Sequence, residues 1–176
     1  MTGARIFKFG DDIDTDVIIP ARVLSQRAPE ILRAHCMEPI APHFGEEVRS
    51  GDVLVAGRNF GCGSSREHAV LALEACGLSC VVARSFARIF YRNTINRAFP
   101  LLICPEAVDA AEDGGSIAVD VATGIITIGD RRFQAQPLPD FLQGIIRAGG
   151  LLSYVRTRLA EDAAAAGTQA PPQPAL

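Results

Sequence analysis

No apolar run in this 176-residue chain approaches the roughly 18 residues that a membrane-spanning helix needs. The N-terminus, MTGARIFKFGDD, has no apolar stretch of the signal-peptide kind and turns acidic early. Both absences point away from a membrane and toward the cytoplasm. A clustered basic excess is missing as well. The net charge is -3, and a nucleic-acid footprint needs a basic face. Arginines do concentrate between Arg84 and Arg97, interleaved with Phe86, Ile89, Phe90 and Tyr91. That pattern suits an amphipathic helix with a solvated face, or a basic site for an anionic ligand. The five cysteines, Cys36, Cys62, Cys76, Cys80 and Cys104, are odd in number in a chain that is neither short nor loop-rich. This argues against a disulfide framework and for a reducing compartment.

What is present is enough apolar material, 48% of residues, for one core and one domain. That domain is expected over residues 1–160. The last residues, 161–176, are rich in Ala, Pro and Gln, the composition of a disordered tail. Arg5 to Phe9 alternates like a strand and is broken by Gly10-Asp11-Asp12. Asp12, Asp14 and Asp16 then alternate with Ile13 and Thr15 ahead of Val17-Ile18-Ile19-Pro20. A short helix is expected from Pro29 to Cys36, and Pro39, Pro42 and Gly45 keep the next segment irregular. Asp52–Ala56, Ser79–Ala83 and Leu101–Cys104 read as apolar strands. Ser65–Cys76, closed by Gly77, and Phe86–Phe99 read as helices between them. The middle of the chain is thus an α/β unit, a βαβαβ core with parallel strands. Ser116–Val121, Ile125–Ile128 and Arg131–Gln136, separated by turn residues, read as an antiparallel meander. A helix pair spans about Pro139 to Ala160.

The segment Gly57 to Gly63 holds three glycines between a strand and a helix, the arrangement that exposes first-turn N–H groups to an anion. A dinucleotide fingerprint fails, because its third glycine falls on Arg66. A P-loop fails because no Gly-Lys-Ser/Thr follows. A Cys62 nucleophile with His68 finds only a faint protease-like pattern. The plainest reading is a turn followed by a helix in which Ser64 is the N-cap and Glu67, three residues on, closes a capping box. Against it stand two adjacent hydroxyls and a guanidinium, Ser64, Ser65 and Arg66. Positive charge in a first helical turn opposes the helix field, whereas an arginine fork holds a carboxylate well. Ser-Ser-Arg here reads as a carboxylate clamp with a hydroxyl at its rim. His68 reads as structural.

Three long motifs in order make the chain similar to a known family. Gly57-Arg58-Asn59-Phe60-Gly61-Cys62-Gly63-Ser64-Ser65-Arg66-Glu67-His68-Ala69 resembles the swivel-domain motif of the aconitase superfamily. Gly10-Asp11-Asp12-Ile13-Asp14-Thr15-Asp16-Val17-Ile18-Ile19-Pro20-Ala21-Arg22 and Ala83-Arg84-Ser85-Phe86-Ala87-Arg88-Ile89-Phe90-Tyr91-Arg92-Asn93 resemble small subunits of 3-isopropylmalate dehydratase. The resemblance covers about residues 5 to 155. It implies a swivelling β/β/α domain that closes over a large subunit carrying a [4Fe-4S] cluster. The implied reaction is a hydro-lyase isomerisation of a 2-hydroxy dicarboxylic acid, in leucine biosynthesis. Carried over by position, Ser64 matches the serine base, Ser65 and Arg66 the carboxylate ligands, and Asp16 an acid that pairs with a histidine of the large subunit. For Asp16 a plain turn aspartate is the competing reading. This chain's own cysteines form no C-x2-C run of cluster ligands, so the cofactor is expected on the partner and none on this chain alone.

One loop departs from the family. Small subunits of this kind often carry Tyr-Leu-Arg-Thr just after the Pro-Ala-Arg stretch, where this chain has Val23-Leu24-Ser25-Gln26. Ser25 takes the arginine's place, among the residues expected to touch the variable part of the substrate. Losing that charge argues against a third substrate carboxylate, as in homoaconitate or citrate. Isopropylmalate is preferred. 2-Methylmalate and 2,3-dimethylmalate remain alternatives, as does a non-catalytic anion-binding module of the same fold.

Overall fold

The segments Val53–Ala56 (β2) and Cys80–Ala83 (β3) are apolar and buried at every position, as strands covered on both faces must be. In the computed structural model, which describes residues 3–137 and 140–167, they lie at the centre of a parallel array. Ala4–Lys8 (β1) pairs with β2 with Ile6 opposite Val53, and Leu101–Ile103 (β4) pairs with β3 with Val81 opposite Leu101. The other edge of β1 pairs antiparallel with Ser116–Asp120 (β5), Ala4 opposite Ile117. Ile125–Ile128 (β6) and Arg131–Gln134 (β7) continue the antiparallel meander. The seven-stranded order is β4-β3-β2-β1-β5-β6-β7.

Because β1 to β4 step across the sheet in one direction, crossovers of one hand deliver every connecting helix to the same face. These helices are Thr15–Ile18 (α1), Pro29–Ala34 (α2), Phe44–Glu47 (α3), Glu67–Ala75 (α4) and Arg88–Asn96 (α5). Their residues Ile18, Leu32, Phe44, Leu73 and Phe90 share one core with Phe7, Leu54, Ala56, Val81 and Leu101. The alternate strand residues Ile6, Val53, Val55, Val82 and Leu102 point the other way. There they meet Ala107 and Val108 of Pro105–Ala110 (α6), together with Ile117 and Ile126. The meander therefore curls over the second face. Asp140–Arg147 (α7) and Leu151–Gly167 (α8) form the final helix pair, with α7 and α8 both against α5.

The expected parallel core and C-terminal meander are both present, with β1 added as a fourth parallel strand. The one-turn helices α1 and α3, and α6, were not anticipated. α8 runs on to Gly167, past the expected end at Ala160 and into the segment expected as a tail. The rest of that tail, and Pro139, lie outside the described residues. No helix among the described residues is long and apolar enough to cross a membrane.

Candidate active site

The loops that leave β1, β2 and β3 meet at the carboxyl ends of adjacent parallel strands, the usual position for a ligand site in such sheets. The acidic segment after β1 runs beside the glycine loop after β2. Asp12 N–H donates to Arg58 O at 2.8 Å, Gly61 N–H to Ile13 O at 2.7 Å, and Thr15 N–H to Cys62 O at 2.9 Å. Asp12 and Asn59 both adopt left-handed backbone, φ 54° and 58°, which Asp and Asn tolerate better than most residues. Asn59 Nδ2 donates to Asp12 Oδ1 at 2.8 Å, tying the two bends together. Asp11 accepts from the Arg58 backbone and guanidinium. The backbone bond, then the side-chain bonds, hold its carboxyl below the usual range. The third loop joins through Phe60, whose N–H donates to Ser85 O and whose carbonyl accepts from Ala87 N–H.

Ser64, Ser65, Arg66 and Asp16 are brought together here, and the capping box is not. α4 begins at Glu67 with Arg66 as its N-cap and no side-chain cap bond. Ser64 stands two residues too early because its hydroxyl is committed elsewhere, 3.1 Å from Thr15 Oγ1. Glu67 does not reach back but accepts from Arg97 at 3.3 Å. Ser65 is exposed, and its carbonyl is held by Asn93 Nδ2 of α5 at 3.0 Å. The Arg66 guanidinium donates to Asp16 of α1. Asp16, matched by resemblance to a residue facing a partner's histidine, thus pairs with Arg66 within this chain. It also offsets the positive charge at the head of α4. Ser25 is exposed just beyond a 3-10 turn at Ala21–Val23, its hydroxyl 3.5 Å from Gln26 Nε2. Among the described residues no hydrogen bond joins Ser25 to the glycine loop.

Thr15 and Asn93 went unassigned in the sequence. For Thr15 a signal existed. Alternation with Asp12, Asp14 and Asp16 turns it inward beside Ile13, and an inward hydroxyl must find a partner. Asp14 is the cap of α1, its carboxylate accepting from Val17 N–H at 2.8 Å. His68, read above as structural, has a buried Nε2 with no hydrogen-bond partner among the described residues.

Cys62, the candidate nucleophile set aside above, has its thiol pushed up by burial and by the nearby Asp14 and Asp12 charges. A thiol held protonated attacks poorly.

A family model described as the Aconitase C-terminal domain matches residues 44–105, a stretch that contains the glycine loop and α4. A 3-isopropylmalate dehydratase small subunit from Caldicellulosiruptor saccharolyticus is 54% identical over 161 residues, covering 90% of this chain and 93% of that protein. The chain belongs to the 3-isopropylmalate dehydratase small-subunit family. A 2,3-dimethylmalate dehydratase small subunit from Eubacterium barkeri is 53% identical over 152 residues, covering 85% of this chain and 93% of that one. The crystal structure of a 3-isopropylmalate dehydratase (leuD) from Methanocaldococcus jannaschii superposes with a TM-score of 0.85 at 41% identity, covering 92% of this chain and 97% of that one.

Members of the wider aconitase group are associated with an iron–sulfur cluster, and the thiols of this small subunit do not fit one. Cys36, Cys76, Cys80 and Cys104 are buried in the two cores. Burial pushes Cys80 up to about 12 and raises Cys36 and Cys104 as well, whereas cluster ligands are thiolates. Among the described residues no group of His, Cys, Asp or Glu converges as a metal site.

Proposed function

We propose that this chain is the small subunit of a hydro-lyase that interconverts 2-isopropylmalate and 3-isopropylmalate by removing and re-adding water, a step of leucine biosynthesis. It acts only with a large subunit. The observation that carries the reading is the clustering of Ser64, Ser65 and Arg66 at the carboxyl edge of the sheet, in a chain 54% identical to a named small subunit. In this reading Ser64 Oγ takes the proton from the carbon next to a substrate carboxylate. That step builds negative charge on the carboxylate, and nearby cationic and N–H groups must hold it. Ser65 and the Arg66 fork hold the carboxylate, whose oxygens replace those of Asp16 on the guanidinium. Asp16, released, is then free to pair with a cationic group of the large subunit. The departing hydroxyl needs a Lewis acid, which a [4Fe-4S] cluster on the large subunit supplies. Free thiols, four of the five buried, suit a reducing compartment, so the proposal includes the cytoplasm.

The likeness to the Eubacterium barkeri protein supports a second substrate, 2,3-dimethylmalate. Turnover of the reconstituted two-subunit enzyme, compared on isopropylmalate and 2,3-dimethylmalate, decides between them. Ser64→Ala is expected to cut turnover about 10³-fold, within the range for loss of a general base, while the thermal unfolding of the chain is unchanged. Wild-type turnover in that variant removes Ser64 as the base.

A further inference from the structure

Thr15 is 1% exposed, yet its hydroxyl is turned to the one side chain on which the proposed chemistry depends. Thr15 Oγ1 accepts the Ser64 backbone N–H at 3.2 Å and lies 3.1 Å from Ser64 Oγ. Among the described residues it has no other hydrogen-bond partner. A hydroxyl owns one proton. With the Ser64 amide occupying one Thr15 lone pair, the two hydroxyls share the 3.1 Å contact, and either can donate across it while both are neutral. The result is a closed loop of contacts, from the Ser64 N–H to Thr15 Oγ1 and from Thr15 Oγ1 back to Ser64 Oγ. It ties the Ser64 side chain to Thr15 and places a hydroxyl against its oxygen.

We propose that Thr15 is the positioning residue for Ser64, orienting its oxygen and stabilising the deprotonated form by donating a hydrogen bond to it. The inference rests on Ser64 being the base. A deprotonated Ser64 can only accept, so the donor must then be Thr15, and a hydrogen bond to a charged oxygen is worth more than one to a neutral one. The Thr15 backbone is bonded at both its N–H and its carbonyl. Its N–H is bonded to Cys62 O at 2.9 Å, its carbonyl accepts Ile19 N–H at 3.0 Å, and it opens α1 behind the Asp14 cap. The charges nearby are the Asp16–Arg66 pair and Asp14, and none of them bonds the Thr15 side chain.

The test is Thr15→Val and Thr15→Ser in the reconstituted two-subunit enzyme, with kcat and KM for isopropylmalate followed across pH. Thr15→Val keeps the shape and removes the donor. Its kcat is expected to fall about 10- to 100-fold with KM within about threefold. The rising limb of its kcat profile moves to higher pH, because the basic form of Ser64 has lost a stabilising bond. Thr15→Ser restores most of the rate and the position of the limb. The proposal is overturned by a folded Thr15→Val enzyme with wild-type kcat and profile. A loss that Thr15→Ser does not rescue and that leaves the profile in place also overturns it, by showing a structural role. If Thr15→Val does not assemble, Thr15→Ser against Thr15→Cys makes the same comparison: oxygen keeps the rate, and sulfur, a weak donor, loses it. Equal rates overturn the proposal. Ser64→Ala measured alongside separates the two readings. Full turnover without Ser64 sinks both, whereas an inactive Ser64→Ala with an unperturbed Thr15→Val sinks the Thr15 role alone.

Discussion

The guanidinium of Arg66 sits at the head of α4, where the helix field opposes positive charge, and Asp16 meets it from α1. The Asp16 side chain is more than half exposed, and ion pairs in contact with water contribute about 0–1 kcal/mol. A substrate carboxylate that offers both oxygens to the fork can therefore take over the guanidinium at little cost. The fork geometry matters more than the charge. Arg66→Lys keeps the positive charge and loses the paired donors. In the reconstituted enzyme it is expected to raise KM about 10- to 100-fold while changing kcat less. Steady-state kinetics on isopropylmalate checks this, and an unchanged KM removes Arg66 from the carboxylate site.

At the scale of elements, the glycine loop is shaped by what packs beneath it. Gly61 has φ +77°, and a Cβ there would overlap the Phe90 ring of α5. Phe90 is itself held edge-on against Phe60, with ring centroids 5.4 Å apart. Gly61→Ala is expected to destabilise the chain by about 3 kcal/mol, combining left-handed strain with overpacking; chemical denaturation measures it. The strands around this loop were legible because β2 and β3 are buried on both faces and read as unbroken apolar runs. The start of α4 was misread. Ser64 and Glu67 have capping-box spacing, but a bond to Thr15, forty-nine residues away in sequence, outcompetes the local cap. Helices α1 and α3 were invisible for a related reason. At four residues each they are too short to form by propensity, and α1 is fixed by its Asp14 cap and by contacts with α4. α6 did carry a signal that went unused, Pro105 at its first position. Within the proposed site, Ser64, Ser65 and Arg66 could be singled out from type and position. The residues bonded to them, Thr15 and Asn93, come from α1 and α5, distant in sequence, and only the inward turn of Thr15 left a trace in the alternation.

For the whole molecule, β1 is the member that joins its two halves. It gives one edge to the parallel strands and the other to the antiparallel meander, and Ile6 at its centre is fully buried between Val53, Val55, Ile117 and Ile126 in the second core. Ile6→Ala is expected to cost about 3 kcal/mol, in the range for a large-to-small change in a core. It should lower the melting temperature of both halves together, so calorimetry shows one transition. Two separate transitions would show that the halves fold independently. The placement of β1 also bears on how the chain is made. Of the seven strands, β1 is made before the other six yet is central in the finished sheet, and its second neighbour arrives only with residues 116–117. Contacts so far apart in sequence form late and slowly. A nascent chain that has completed β1 to β4 therefore still exposes the free edge of β1, and that edge is open to shielding by chaperones, or to invasion by neighbouring nascent chains, until β5 emerges.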